Sequence, residues 1–559
     1  MLTLEALKAR YDDLAVHPLD AETLPQWLHA WSELRKEVLE HRAKRQLAHH
    51  QDVRNSEAEA AYIKFDHDVM PQVNQVEHQL QVRLLELPTH ILNQHPDLNL
   101  IIRQLQDDAR VYHPKNDALE AQISTIITQF NKARSALSIN LDGQTLGLHQ
   151  AFTKQFATDR NLREAAFLAS EEAKLLMAED VDEMMLELLN LRHHIAQNAG
   201  FSDFCAYTWC ATYRYDYTPE DSKRLHAAIA SGVVPVLADV YEHKCAQLNV
   251  PKLRPWDVYV DAQGRSPLRP FAQVDELEAG LTRLITAIDA DLGRQFANMR
   301  EGWLDLEARE GKLPMVGYCI PFPKSGRAFI YHSMFGTHAD VWIMLHEAGH
   351  AFHNMAAAAN QDLVWHHQPT MEVCELASQT MELLGLAHLA SGDVGVYTIE
   401  QAAQAKEEQL MRCLRLIATA QADAFHHWVY SRVADGVSAA ELDAKWLELE
   451  RLYNPWLDWS GLEHIACKGW QSSHVLMHPF YALEYKIAMF GALEIWQHSF
   501  TDQAEAVSNY RHMLSLGASR PLPDLFEAAG ATWPFHVEMH HMRTLAEFLR
   551  TQITTQTTT

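Results

Sequence analysis

Long stretches of the chain place apolar residues at the three- and four-residue spacing of an amphipathic helix. Gly and Pro rarely interrupt this pattern, which covers residues 22–64, 115–139, 160–199, 218–248 and 397–434. The alternating apolar and polar residues of a half-buried strand are rare by comparison. The pattern therefore predicts a mostly α protein.

Two short runs with strand character lie close together in the second half of the chain. They are VGYCI at residues 316–320 and AFIYH at residues 328–332. The turn-forming segment PFPKSG, residues 321–326, separates them and predicts a hairpin. We therefore expect one small sheet in an otherwise helical protein.

The segment AGFSD, residues 199–203, interrupts two helical stretches and is the clearest break in the chain. We divide the chain there into an N-terminal helical region, residues 1–200, and a region that holds the candidate catalytic residues, residues 201–559. The lobes of the folded protein are expected to interweave across this boundary. The terminal TQITTQTTT, residues 551–559, is expected to fray.

Composition narrows the possible functions. The chain has 559 residues, of which 47% are hydrophobic, and a formal net charge of −26. This charge argues against partners such as nucleic acid or an anionic membrane surface, because binding to either requires a basic face. The seven cysteines are scattered without a C-x-x-C pair and do not predict a disulfide framework.

The chain also lacks the patterns that direct a protein to a membrane or across it. The N-terminal MLTLEALKARYDDLAVHP has early acidic residues and no continuous apolar core, unlike a signal peptide. No stretch approaches about 18 consecutive apolar residues, so no transmembrane helix is predicted. By elimination, we expect a cytoplasmic protein.

The segment HEAGH, residues 346–350, has the spacing of a zinc site on a helix. The chain has 33 histidines, so H-E-x-x-H would arise by chance with an expectation of roughly 0.14, and the motif alone is weak. On a helix, His346 and His350 share one face, where two imidazoles can bind one metal ion. Glu347 lies at the edge of that face, where its carboxylate can reach a water molecule in the site. Asp340 would lie near the N-terminal end of this helix.

A catalytic zinc ion needs a third protein ligand, and the next acidic helix offers several. The segment PTMEVCELASQTMELL contains Glu372, Glu375 and Glu382. Glu375 and Glu382 share a helical face, so one can bind the metal while the other orients a histidine ligand. Helical geometry alone does not choose among the three. Cys374 points about 100° away from Glu375 and is predicted to fill the core.

A third segment, HVLMHPFYALEY at residues 474–485, carries groups that can stabilise negative charge. The imidazole of His474 and the phenols of Tyr481 and Tyr485 can donate hydrogen bonds to an oxyanion. The two tyrosines share a face if a helix follows Pro479. From the residues alone, the simpler interpretation is that the tyrosines belong to the core and expose only a polar tip.

In this order, the segments resemble the oligoendopeptidase F branch of the thimet-oligopeptidase-like zinc peptidases. The similarity covers most of the chain after about residue 155, whereas residues 1–150 match only as helices. Several independent segments in one order are far more specific than any of them alone. The resemblance rests on DRNLREAA (159–166), LRHHIAQNAGFSD (191–203), RYDYTPED (214–221), KLRPWD (252–257), FIYHSMFGT (329–337), DVWIMLHEAGHAFH (340–353), ELASQTME (375–382) and HVLMHPFYALEY (474–485).

The resemblance implies a fold and a metal centre. The fold would be a large two-lobed helical metallopeptidase with a small β-sheet beside the H-E-x-x-H helix and a deep central substrate channel. One Zn²⁺ per chain would be bound by His346, His350 and Glu375. Glu347 would be the catalytic carboxylate.

The resemblance also assigns catalytic roles to His474, Tyr481 and Tyr485, which would contact the substrate and the transition state. Which tyrosine faces the oxyanion stays open. Two residues depart from the family pattern: Val316 stands where a Gly is common, and Ser333 where an Asn is common. Both departures concern how the substrate backbone is bound rather than the chemistry.

The expected function is zinc-dependent endopeptidase activity on short unfolded oligopeptides. Glu347 would take a proton from the attacking water and pass it to the leaving amine. Glu382 would orient a zinc-binding histidine, and the strand at residues 329–332 would pair with an extended peptide by β-addition.

Two other functions stay open at this point. The first is a related helical zinc peptidase that removes dipeptides or single residues from the C-terminus. The second is a peptide-binding protein without activity, against which the intact set of Glu347 and three candidate ligands argues. The sequence leaves open whether the chain is a monomer or a homodimer, which bonds it prefers, and whether another divalent metal occupies the site.

Overall fold

The computed structural model describes residues 4–92, 94–313, 317–390, 395–536 and 539–557. About 71% of the chain is helical, and the strands form only small sheets. The prediction of a mostly α protein is therefore confirmed.

The chain divides into two compact units, and each is assembled from three separate stretches of sequence. The first unit comprises Met1–Arg110, Arg269–Lys406 and Gly491–Pro534, and the second comprises Val111–Leu268, Glu407–Phe490 and Phe535–Thr559. The boundary proposed at residues 200 and 201 lies inside one stretch of the second unit. The division into regions 1–200 and 201–559 stays a prediction.

The α-helices are numbered here in chain order, and short 3₁₀ or π turns join several of them. Their bounds are α1 Leu4–Val16, α2 Leu24–Gln51, α3 Ser56–Lys64, α4 Met70–Leu85, α5 Thr89–Leu92, α6 Asn99–Val111, α7 Asn116–Ala136, α8 Leu148–Thr153, α9 Arg160–Leu175, α10 Ala178–Asn198, α11 Phe204–Ala211, α12 Pro219–Ala228, α13 Val234–Leu248, α14 Val274–Ile288, α15 Ala290–Met299, α16 His338–Asn360, α17 Met371–Gly385, α18 Ile399–Ile417, α19 Gln421–Tyr430, α20 Ala439–Tyr453, α21 Glu463–Ala466, α22 Ser473–Met477, α23 Ala482–Ser499, α24 Gln503–Leu516, α25 Leu522–Ala528 and α26 Met539–Thr557.

The strands of the described residues form two small sheets. Their bounds are β1 Ser138–Leu141, β2 Gln144–Gly147, β3 Leu304–Asp305, β4 Tyr318–Phe322 and β5 Arg327–Tyr331. In the first unit, β5 is the middle strand, parallel to β3 and antiparallel to β4. The hairpin predicted from the two strand-like runs is thus confirmed, although Val316 lies outside the described residues.

The second sheet corrects the expectation of a single one. The helical pattern assigned to residues 115–139 ends with α7 at Ala136, and β1 and β2 then pair as an antiparallel hairpin. Asp142 and Gly143 connect the strands with φ angles of +49° and +77°. Two positive φ angles are typical of the type I′ turn that Asp-Gly favours. This dipeptide was the signal that the sequence analysis overlooked.

Two other helical predictions differ in where helices end. The stretch 22–64 is divided between α2 and α3, because Asn55 caps α3 by accepting hydrogen bonds from the backbone N–H groups of Glu57 and Ala58. The C-terminal tail, predicted to fray, continues α26 as far as Thr557. The break at residues 199–203 is confirmed, since α10 ends at Asn198 and α11 begins at Phe204.

The core of the first unit holds the sheet against a long helix. Trp31 of α2 contacts Trp27 and Trp365 edge-to-face, with ring centroids 5.3 and 4.9 Å apart. Strands β4 and β5 pack against α16, and α16 packs against α17 and α24. The predicted small sheet therefore lies beside the helix that contains HEAGH.

One described segment, Pro219–Leu248, has the length and apolar character of a membrane-spanning helix. Half of its apolar window is buried inside the protein. A core helix of a globular protein passes the same test, so the segment is weak evidence for a membrane span.

The buried carboxylate of Asp257 provides a test of what stabilises the second unit. It accepts hydrogen bonds from Arg160 and from Arg163, whose side chain is 2% exposed. Asp257→Ala would leave a buried guanidinium without its counter-ion, so we expect a loss of about 3–5 kcal/mol in the free energy of unfolding, measured with urea. The control is Glu448→Ala, which removes the exposed partner of Lys445 and should cost less than about 1 kcal/mol. Equal losses would contradict the role of burial.

Candidate metal centre

Helix α16 begins at His338, so Asp340 lies in its first turn, as the sequence predicted. The carboxylate of Asp340 accepts hydrogen bonds from the backbone N–H groups of Thr337 at 2.7 Å and Phe335 at 3.1 Å. Its other oxygen lies 3.1 Å from Nε2 of His332, at the end of β5. These contacts fix the start of α16 at His338 and join it to the sheet.

Three predicted metal ligands bring their ligand atoms together. Nε2 of His346 lies 3.2 Å from Nε2 of His350 and 3.3 Å from Oε2 of Glu375. Ligands about 2.0–2.1 Å from a tetrahedral zinc ion are about 3.3 Å from each other. Among the three carboxylates proposed on α17, Glu375 is the one in this group. Two imidazoles and a carboxylate are a donor set of catalytic zinc, so the residues fit the metal that the sequence predicted.

Neighbouring groups orient the two imidazoles. Nδ1 of His346 lies 2.7 Å from Oε1 of Glu382, the contact expected from the face that Glu382 shares with Glu375. His350 forms a hydrogen bond with the backbone of Cys374, and burial lowers the pKa of His350 well below its ordinary value. A neutral imidazole whose Nδ1 is already engaged presents Nε2 to a metal. Both contacts therefore favour the neutral imidazoles of His346 and His350 in which Nε2 can bind a metal ion.

Glu347 adjoins the three ligands and is 5% exposed. Its Oε2 has no hydrogen-bond partner within the described part of the chain. Burial raises the pKa of Glu347 to about 7, a shift that His346 opposes and Glu375 strengthens. A buried carboxylate oxygen without a partner is costly and is typical of a group kept for a ligand or a reaction. The buried position and raised pKa of Glu347 are therefore consistent with the role of general base predicted for it.

Gly349 sets the approach of α16 to α17 and was not singled out from the sequence. A Cβ atom at this position would lie 2.6 Å from both the carbonyl oxygen of Ala377 and Cα of Ser378. These are backbone atoms, which cannot rotate away. The missing side chain thus allows the two helices to approach closely enough for their ligands to meet. The sequence did offer a signal for this role. A glycine inside a helix destabilises the helix by about 1 kcal/mol relative to alanine, so its presence there suggests close packing against another element.

The pairing of β5 corrects the expectation that residues 329–332 receive a peptide. Ile330 and Tyr331 pair with β4 on one side and with β3 on the other. The backbone N–H of His332 also donates to Asp305. A peptide that extends this sheet by β-addition would have to pair with one of the edge strands, β3 or β4, and not with β5 at this level.

The side chains of His474, Tyr481 and Tyr485 form one ring cluster within the second unit. Their ring centroids are 5.6 Å apart for His474 and Tyr481, 5.8 Å for His474 and Tyr485, and 4.9 Å for the two tyrosines. His474 lies on α22 and Tyr485 on α23, while Tyr481 immediately precedes α23. The structure therefore groups the three residues that the resemblance selected.

The second unit contains another group of potential ligands that the sequence analysis did not identify. His226 of α12 and Asp423 and His427 of α19 are all buried. Nε2 of His226 lies 2.7 Å from Oδ2 of Asp423, and Nε2 of His427 lies 3.4 Å from it. The shorter distance is that of a direct hydrogen bond, whereas ligands of one zinc ion are about 3.3 Å apart. This spacing fits a hydrogen bond between α12 and α19 better than a metal site, although Oδ1 of Asp423 and Nε2 of His427 have no hydrogen-bond partner among the described residues.

A sequence model of peptidase family M3 matches residues 155–543, well over half of the chain. The chain belongs to peptidase family M3. The motif residues of the candidate centre and the ring cluster all lie within the matched range. The resemblance stated from the sequence is therefore confirmed, and membership places this protein among the metallo-oligopeptidases.

This M3 peptidase is similar to one curated relative in sequence and to several solved structures in fold. The oligoendopeptidase F homolog of Borreliella burgdorferi (strain ATCC 35210 / DSM 4680 / CIP 102532 / B31) is 20% identical over 443 residues, 75% of this chain and 71% of the relative. PZ peptidase A superposes with a TM-score of 0.89 at 23% identity, over 99% of this chain and 98% of that one. A structure from Bacillus anthracis str. Ames, named as oligoendopeptidase F, has a TM-score of 0.84 at 22% identity, over 99% and 96%.

Gly349→Ala tests whether close helix packing assembles the centre of this M3 peptidase. The added methyl group would separate α16 from α17, so we expect a loss of about 1–3 kcal/mol in the free energy of unfolding and weaker zinc binding. Zinc affinity would be measured by competition with a chromogenic chelator. Ala359→Ser, an exposed change on the same helix, should leave both quantities unaltered. Zinc affinity equal to that of the wild type in Gly349→Ala would show that the helix approach does not matter.

Proposed function

We propose that this M3 peptidase is a zinc-dependent endopeptidase that hydrolyses short unfolded oligopeptides. The main support is the group of His346, His350 and Glu375, whose ligand atoms have the mutual spacing of zinc ligands beside the buried carboxylate of Glu347. Family membership supplies the reaction class, peptide hydrolysis. The name oligoendopeptidase F, carried by relatives, supports internal cleavage of short peptides. A cytoplasmic setting remains part of the proposal and rests on the elimination of a signal peptide and a transmembrane helix from the sequence.

In the proposed mechanism, the carbonyl group and the water molecule would be activated by zinc, and Glu347 would transfer the proton. When bound, zinc supplies a Lewis acid that polarises the peptide carbonyl and lowers the pKa of a water molecule from about 15.7 towards about 7. Glu347 accepts a proton from the water whose oxygen attacks the carbonyl carbon. It then delivers this proton to the amide nitrogen as the C–N bond breaks. Glu382 holds His346 in its ligand orientation throughout.

The roles of His474, Tyr481 and Tyr485 are also part of this proposal. An imidazole N–H or a phenol O–H can donate to the carbonyl oxygen as it becomes negative, an interaction stronger in the transition state than in the substrate. The mutual contact of the three rings supports a shared role.

The first test compares wild type and Glu347→Gln on an oligopeptide blocked at both ends. We expect internal cleavage by the wild type, and a loss of at least about 100-fold in kcat for the variant, because an amide cannot accept the proton. Zinc content, measured by atomic emission, should stay near one ion per chain in both proteins. The products would be identified by mass spectrometry.

Each other outcome of this test has a distinct meaning. Cleavage only of peptides with a free C-terminus would indicate a carboxypeptidase or dipeptidyl carboxypeptidase. Zinc binding without cleavage of any peptide would indicate a binding protein. Full activity in Glu347→Gln would exclude Glu347 as the base, and two zinc ions per chain would indicate that His226, Asp423 and His427 also bind metal.

The pH dependence of kcat/KM tests the protonation state of Glu347. Burial raises its pKa to about 7, and only the ionised form can accept a proton. A bound dication opposes the shift, so we expect kcat/KM to fall on the acid side with an apparent pKa at or below about 7. Zinc content must be measured at each pH, because protonated histidines release the metal. A constant kcat/KM from about pH 8 to about pH 5 with zinc retained would contradict this role.

A further inference from the structure

The segment between α22 and α23 turns at a residue with unfavourable backbone geometry. Phe480 has a φ angle of +64°, in the left-handed region that bulky L-residues rarely adopt. Such a conformation persists only where surrounding contacts hold it. The Phe480 ring is fully buried, with centroids 5.5 Å from Trp209 and 5.4 Å from Tyr430. The residue directly precedes Tyr481, so its conformation sets where that tyrosine leaves the turn.

His426 of α19 joins the two ends of this turn. Its Nδ1 accepts a hydrogen bond from the backbone N–H of Phe480 at 3.1 Å, and its Nε2 donates to the carbonyl oxygen of Val475 at 3.0 Å. This pattern requires a neutral imidazole with one donor and one acceptor nitrogen. Burial lowers the pKa of His426 to about 4, which keeps it neutral.

Arg214 joins the same turn to the helix that follows. Its Nη2 donates to the carbonyl oxygen of Phe480 at 2.9 Å and to Oε1 of Glu484, in the first turn of α23, at 2.6 Å. The guanidinium group lies 4.4 Å from the ring centroid of Trp209, and the side chain is 1% exposed. Both backbone polar groups of Phe480 are therefore held, one by His426 and the other by Arg214.

The helix that carries His426 is itself anchored. Asp423, one turn before His427 on α19, accepts a hydrogen bond from His226 of α12 at 2.7 Å. This buried contact gives the His226, Asp423 and His427 group a structural purpose: it fixes α19, and with it His426, relative to α12.

We propose that Arg214 and His426 are positioning residues, which hold Phe480 in its left-handed conformation and thereby fix His474, Tyr481 and Tyr485 as one ring cluster. The inference rests on the proposed role of that cluster in binding substrate and transition state. Arg214 and His426 are buried, whereas His474 is exposed. The two positioning residues act through the backbone of Phe480 and not by contact with the peptide.

The test compares Arg214→Lys with a matched control, Arg163→Lys. Both wild-type arginines are buried in the second unit, bind a buried carboxylate and donate to backbone carbonyl groups. Lysine keeps the charge, but its side chain is too short to place an N–H where Nη2 of Arg214 lies, and its ammonium cannot stack on Trp209 as the guanidinium does. For Arg214→Lys we expect zinc content to stay at the wild-type level and kcat to fall about 10- to 100-fold, with KM changed much less. Arg163→Lys should lower the melting temperature but leave kcat unaltered.

A second variant tests the other contact independently. His426→Phe keeps a ring of similar size but removes both the donor for Val475 and the acceptor for the N–H of Phe480. We expect the same selective loss in kcat as for Arg214→Lys. Partial recovery of Arg214→Ala by added guanidinium, but not by an equal concentration of ammonium, would support the positioning role further, since only guanidinium has a planar face that stacks on Trp209.

Tyr481→Phe and Tyr485→Phe separate failure of this inference from failure of the proposed function. Unaltered activity in both variants, or a wild type that cleaves no peptide, would overturn the proposed role of the cluster and this inference with it. Reduced activity in a tyrosine variant, together with a wild-type kcat in Arg214→Lys and His426→Phe, would overturn only the positioning role. If Arg163→Lys lost as much kcat as Arg214→Lys, the loss would reflect general destabilisation of the second unit. That result would also overturn the positioning role of Arg214.

Discussion

The close approach of α16 and α17 is the constraint on which the candidate metal centre depends. Two ligands come from one helix and the third from the other, so their spacing follows from the distance between the helix backbones. Gly349 permits that distance because any side chain there would meet the backbone of Ala377 and Ser378. The helical cost of glycine, about 1 kcal/mol, is small beside the geometric requirement of a tetrahedral metal site.

Polar side chains in this protein are used in two contrasting ways. Around the candidate centre, buried groups retain capacity for a further partner: Glu347 has a carboxylate oxygen without one, and the imidazole Nε2 atoms face each other. In the second unit, Nε2 of His226 and Oδ2 of Asp423 form a direct hydrogen bond that stabilises the fold, although Oδ1 of Asp423 has no hydrogen-bond partner among the described residues. A buried oxygen without a partner costs free energy unless a ligand binds. The two groups differ in spacing, because the ligand atoms of His346, His350 and Glu375 are as far apart as zinc ligands, whereas His226 and Asp423 are in direct contact.

Local patterns predicted those features whose geometry is local. The helical period identified several long helices, among them α2, α10 and α18, and the H-E-x-x-H spacing placed His346 and His350 on one face, because four residues are close to one helical turn. The hairpin of β4 and β5 followed from two strand-like runs around a turn. The β1–β2 hairpin was missed because its strands are short and follow a strong helical pattern, although Asp142–Gly143 was a sufficient turn signal.

By itself, the sequence determined the helical class, the H-E-x-x-H face and, through several ordered segments, the family resemblance. Helical period alone left Glu372, Glu375 and Glu382 equivalent, since it says nothing about which part of one helix faces another, and only the resemblance selected Glu375. The tertiary structure brings Glu375 to the histidines and Glu382 to His346. It also decided that Arg214 and His426, more than 200 residues apart, hold the same strained residue. Such long-range contacts depend on packing between helices, which no local pattern encodes.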